Sequence, residues 1–120
     1  MTAPPSPVHA LVDDLFFRAK IEATARAAGS GIDFARDGEE LAAQIEGNEE
    51  AVVLVDLGLA TADPIAAIRA LKARSPAPLV VAFGAHRDVE KMTQARQAGA
   101  DRVLARSAFV ERLPELLGAT

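Results

Sequence analysis

Two short, wholly apolar runs constrain this chain more than any other feature. Ala51 to Val55 reads AVVLV and Leu79 to Phe83 reads LVVAF. Runs this short and this rich in Val suit strands buried on both faces of a sheet. Such strands need a covering layer above and below, and the sequence between them supplies helices. Val8 to Val12 reads as another strand, Ile32 to Ala35 as a short alternating one, and Arg102 to Ala105 as a fifth. A helix is expected over Phe16 to Ala28, stopped by Gly29, and a second opens at Asp37-Gly38-Glu39-Glu40 and runs to about Ile45. Asp63 followed by Pro64 has the form of an N-cap with proline at the first helical position. Ile65, Ile68, Ala70 and Leu71 give that third helix its apolar stripe, and Pro76-Ala77-Pro78 breaks it. Asp88 to Ala98, ended by Gly99, and Phe109 to Leu117 read as the last two helices. Five strands alternating with five helices predict an α/β fold: a doubly wound parallel sheet with helices on both faces.

The rest of the composition narrows the function. The chain has 120 residues, enough for one domain, with half of them apolar. A net charge of −4 argues against a nucleic-acid partner, which calls for a basic face. The absence of Cys excludes disulfides, thiolate chemistry and Cys-ligated metals, and agrees with a cytoplasmic protein. Met1 to Pro7 has neither a positive start nor an apolar stretch, so it is not read as a secretory signal. It is proline-rich and is expected to be a disordered lead (1–7) to a domain over 8–117, with a tail over 118–120. No apolar run is long enough for a membrane span.

In open α/β sheets, ligands sit beyond the carboxyl ends of the strands. Asp13 and Asp14 follow the first strand there, Asp56 the third, Gly84, Ala85 and His86 the fourth, and Arg106 and Ser107 the fifth. Three carboxylates at neighbouring strand ends repel one another and invite a hard divalent cation such as Mg²⁺. An Asp beside such a cation can accept a phosphoryl group, with Arg106 completing the charge balance. Asp13 or Asp14 could instead simply cap the first helix.

These residues together resemble the receiver domains of response regulators in bacterial two-component signalling, over about Val8 to Leu117. Val53 to Leu59 (VLVDLGL) is similar to the phosphoacceptor strand and its loop, Val12-Asp13-Asp14 to the acidic pair that holds Mg²⁺, and Gly99-Ala100-Asp101 to the turn before the last strand. Asp63 matches an acidic residue that usually precedes Gly, here Pro64. The resemblance implies flavodoxin-like strand order 2-1-3-4-5, Asp56 as phosphoacceptor, and a metal pocket of Asp13, Asp14, Asp56 and the Gly58 backbone carbonyl. Arg106 falls at the family's Lys position. The departures are as informative. The hydroxyl residue ending the fourth strand falls on Gly84, the aromatic switch of the fifth on Val103, the Pro after the Lys on Ser107, and the Pro in the loop after the acceptor on Ala60. The acidic half of the site is kept and the switching half is not.

The expectation is therefore a stand-alone signalling domain, not an enzyme, in a phosphorelay-type pathway, with phospho-switching atypical or lost as in a pseudo-receiver. The alternative is a regulator that is phosphorylated on Asp56 with Mg²⁺. A second alternative, a small nucleotide- or ligand-binding flavodoxin-like protein, lacks a glycine-rich phosphate loop in the right place. The resemblance implies a histidine kinase or a downstream target as partner, docked on the face of the fourth helix, fifth strand and fifth helix, and a monomer or weak homodimer. Neighbours on a helix cannot both face one way, so one of Phe16 and Phe17 is expected in the core with the other exposed near the site or covering it; the plainer expectation is that both lie in the core. The sharper expectation is that one of them stands in for the missing aromatic switch. His9 is read as structural and His86 as a surface loop residue.

Overall fold

The computed structural model describes residues 7–48 and 50–118. Most of the expected lead and tail therefore lies outside the described residues. The elements are β1 (Val8–Leu11), α1 (Leu15–Ala27), β2 (Ile32–Ala35), α2 (Gly38–Ile45), β3 (Val52–Asp56), α3 (Pro64–Lys72), β4 (Leu79–Gly84), α4 (Val89–Gln97), β5 (Arg102–Ala105) and α5 (Arg106–Leu116). All strands pair in parallel, in the order β2-β1-β3-β4-β5. The fold is the doubly wound, flavodoxin-like one expected.

Side-chain alternation along the strands divides the core between two faces. Val8, Ala10, Leu54, Val81 and Phe83 point towards α1 and α5, meeting Phe17, Ile21, Phe109 and Leu113. Leu11, Val53, Val55, Val80 and Ala82 point the other way, onto Leu41 and Ile45 of α2, Ile68 and Leu71 of α3, and Ala95 of α4. Four helices keep the N-terminal Asp seen in sequence, and three of these side chains accept backbone N–H bonds: Asp14 at α1, Asp37 at α2 and Asp63 at α3.

One helix departs from expectation. α5 starts at Arg106, three residues before Phe109. Ser107 allows this, because a proline there would push residue 106 out of the helical region. His9 is buried on β1, where its Nδ1 lies 3.1 Å from Gln44 Oε1 of α2. Gln44 Nε2 in turn donates to the Phe34 carbonyl, so the histidine helps seat α2 on the sheet edge. His86 is exposed.

The turn into β5 is tied to α3 and to the neighbouring strand β4. Asp101 Oδ2 accepts 2.7 Å bonds from both the Val80 N–H and Lys72 Nζ, and Lys72 also donates to the Pro78 carbonyl. Replacing Asp101 with Ala strands the Val80 N–H in a part-buried setting. Urea unfolding should register a loss of about 1–3 kcal/mol; an unchanged midpoint would mean that the carboxylate does not hold this turn.

Candidate functional site

The sheet carries Asp56 to the carboxyl edge as the last residue of β3. Its neighbours Val53, Leu54 and Val55 are fully buried, and Asp56 itself is 1% exposed. It is the only buried acidic residue among those described. One oxygen has a partner: Oδ1 accepts a 2.8 Å bond from the Gly58 N–H. Burial pushes the carboxyl above its usual value, because a desolvated carboxylate resists ionisation. The Gly58 N–H and the Arg106 guanidinium pull it down, while Asp13 and Asp14 push it up. These four groups are thus the electrostatic surroundings of Asp56.

The acidic pair is split in its local duties. Asp14 Oδ1 caps α1, accepting from the N–H groups of Phe16 and Phe17 at 2.9 and 3.1 Å. Asp13 reaches across to the loop after β3, where its Oδ2 accepts from the Ala60 N–H at 3.1 Å. Each carboxylate thus has one oxygen committed to a backbone donor. Among the described residues no three His, Asp or Glu side chains form a cage for a metal. The donors instead suit Mg²⁺ in its usual protein form: one or two carboxylates, with water and phosphate oxygens completing the shell.

Arg106 stands at the first turn of α5, with its guanidinium carbon 5.4 Å from the centre of the Phe17 ring. No ion pair joins it to Asp56 among the described residues. The two meet over Gly58. A β-carbon at that position would lie 3.1 Å from Arg106 Nη2 and 3.2 Å from Asp56 Oδ1. Glycine therefore leaves open the gap between cation and carboxylate.

Sequence reasoning missed two features. The first concerns Gly84, the position without a hydroxyl. A β-carbon there would meet Leu57 Cβ at 3.2 Å and Cδ1 at 3.4 Å, so Leu57 occupies the neighbourhood in which a larger residue would stand. Val103, at the aromatic position, is half-buried on β5 and packs against the α2–α3–α4 side of the core. The second is an aromatic row. Phe109 stacks on Phe83 at 3.9 Å, Phe83 leans on Phe17 at 5.3 Å, and Phe16 sits edge-on to Phe17 at 5.4 Å. Phe17 is 7% exposed but Phe16 is 70% exposed and Leu15 is 79% exposed. The expectation that both phenylalanines lie in the core is therefore corrected: α1 turns only one of two adjacent residues inward.

A five-stranded parallel sheet in this order, with Asp13, Asp14, Asp56 and Arg106 at its carboxyl edge, is the receiver-type fold. The chain belongs to the response regulator receiver domain family, whose family model matches residues 10–117. Members are signalling domains that interact with histidine kinases and effectors. No curated protein matches the sequence. Solved structures share the fold at low identity. The receiver domain of NtrX from Brucella abortus is 20% identical with a TM-score of 0.77, covering 94% of this chain and 99% of that one. The chemotaxis response regulator CheY4 of Vibrio cholerae is 21% identical with a TM-score of 0.77, covering 94% and 96%. A response regulator receiver domain from Rhodospirillum rubrum is 20% identical with a TM-score of 0.73, covering 92% and 90%. Among the described residues no helix is long and apolar enough to cross a membrane.

The Gly84–Leu57 contact yields a test. Gly84→Thr should destabilise the domain by about 1–3 kcal/mol, the usual effect of overpacking. Leu57→Ala should rescue part of that loss, so that the double mutant is more stable than the sum of the single effects predicts. Strict additivity in urea unfolding would contradict the contact.

Proposed function

We propose that this domain accepts a phosphoryl group on Asp56 and passes the signal on through protein contacts, without the hydroxyl and aromatic switch residues of its family. The observation that carries the reading is the single buried carboxylate at the carboxyl edge, with Arg106 and the Asp13–Asp14 pair acting on its charge. Keeping such a group in an otherwise apolar strand works against stability, since burial disfavours its ionised form, and carboxyls shifted in this way cluster at functional sites.

In the reaction, an ionised Asp56 oxygen forms a bond to the donor's phosphorus. The bond from phosphorus to the leaving group breaks, and the leaving group takes the electron pair. The donor is a phosphohistidine of a kinase or a small phosphodonor. Mg²⁺ held by Asp56, Asp13 and the Gly58 carbonyl, with Asp14 beside them, would offset the charge of the phosphoryl oxygens. Arg106, whose charge acts on Asp56, is placed to pair with those oxygens, and its guanidinium can do so with two parallel hydrogen bonds. Gly58 keeps its route open.

Partner contact is assigned to the α4–β5–α5 face. Arg96, Arg102 and Arg112 are exposed there, and none pairs with an acidic residue among those described. Such a face favours an acidic partner surface. A second reading is a docking domain that never takes phosphate. The observations in its favour are Gly84, with Leu57 packed beside it, and Val103.

Incubation with Mg²⁺ and acetyl phosphate, followed by intact mass spectrometry, separates the two. The expected result is a gain of one phosphoryl group that is absent in Asp56→Asn. A mass that never changes, in a protein that remains folded, supports the docking domain instead.

A further inference from the structure

Phosphoacceptance alone leaves open how the rest of the domain learns of it. Gly84 has no hydroxyl to follow the phosphoryl group, and Val103 has no ring to swing. Arg106 touches both the acceptor's surroundings and the packed interior. One edge of its guanidinium faces the gap over Gly58, next to Asp56 Oδ1. Its guanidinium carbon lies over the Phe17 ring, 5.4 Å from the ring centre. Phe17 then leans on Phe83, which pairs in register with Asp56 across β3 and β4 and stacks on Phe109 of α5. On its other side Phe17 meets the exposed ring of Phe16, beside exposed Leu15.

We propose that Arg106 is the moving part of this domain: it rests on the Phe17 ring while Asp56 is a free carboxylate, and swings to the phosphoryl oxygens when Asp56 is modified, so that phosphorylation is reported at the start of α1. This inference rests on the phosphoacceptor reading above. The two positions of Arg106 compete. A cation over an aromatic face gains modestly at an exposed site, whereas a guanidinium paired with a doubly charged phosphoryl group forms stronger, charge-assisted bonds. Modification therefore tips the balance, as a ligand tips an equilibrium it contacts in one state only. When Arg106 leaves, Phe17 loses the cation on its face, and Phe16, Leu15 and the α1 cap at Asp14 are the groups next to it. The read-out surface is then the α1–α5 corner, distinct from the basic α4–β5–α5 face.

The competition gives Phe17 a signature that a purely structural ring would lack. Phe17→Leu keeps an apolar side chain but removes the seat of Arg106. Beryllofluoride, a stable mimic of the phosphoryl group, is titrated with Mg²⁺ into the wild type, Phe17→Leu and Phe16→Leu, and the Phe17 ring protons of the wild type are followed by NMR. Arg106 no longer held on a ring should bind the mimic about two- to five-fold more tightly in Phe17→Leu, the fold-change equivalent to a surface cation–π contact. Phe16→Leu should match the wild type, and the Phe17 ring signals should move when the mimic binds. Wild-type binding with equal affinity in Phe17→Leu, or with unmoved ring signals, overturns the relay and leaves the phosphoacceptor reading standing. No binding to the folded wild type overturns both. The ring signals come from the unmodified protein, so the test survives a Phe17→Leu variant that folds poorly.

Discussion

The structure is organised around one electrostatic compromise: a carboxylate buried at the end of an apolar strand. Val53, Leu54 and Val55 bring β3 through the middle of the sheet with no polar group, and Asp56 ends it almost fully covered. A carboxylate so placed must find donors and positive charge or stay protonated. The Gly58 N–H supplies the donor and Arg106 the charge, while Asp13 and Asp14 work against both. The result is a group held in unfavourable surroundings, which a divalent cation would relieve. That imbalance links the fold to a signalling role.

The residues around Asp56 form one consistent set. Ser107 lets α5 begin at residue 106, which puts Arg106 in the helix and its side chain between Gly58 and Phe17. The missing side chain at Gly58 keeps the space in front of Asp56 clear. The missing side chain at Gly84 gives room to Leu57, which is buried in the α2–α3–α4 side of the core. With Leu57 there, a hydroxyl-bearing residue could enter only if its neighbour shifted. The bare position at Gly84 and the packing of Leu57 after β3 are thus one feature. The aromatic side chains near the site form the row Phe16, Phe17, Phe83 and Phe109, while β5 carries Val103.

Much of this was legible in the sequence, for identifiable reasons. Buried parallel strands announce themselves as short continuous apolar runs, so β3 and β4 were read to within a residue. The N-caps were legible because an Asp before a helix satisfies N–H groups that the helix cannot. The grouping of Asp13, Asp14, Asp56 and Arg106 at one edge follows from parallel topology alone. Other features depend on contacts between residues distant in sequence. The bond from Lys72 to Asp101 spans 29 positions, and the approach of Leu57 to Gly84 depends on the register of β3 and β4. Two misses had signals that were present. Ser107 already removed the barrier to an earlier α5, and adjacent Phe16 and Phe17 could not share one face of a helix.

The account depends on Asp56 being held at a cost in its free state. The direct measurement is a ¹³C NMR titration of the Asp56 carboxyl in metal-free buffer. The predicted midpoint lies above the ordinary aspartate value of about 3.9, and rises further in Arg106→Gln, where the opposing cation is gone. A midpoint at or below the ordinary value, unmoved by Arg106→Gln, would mean that the carboxylate is well solvated and uncoupled from its neighbours, and would contradict the site as described.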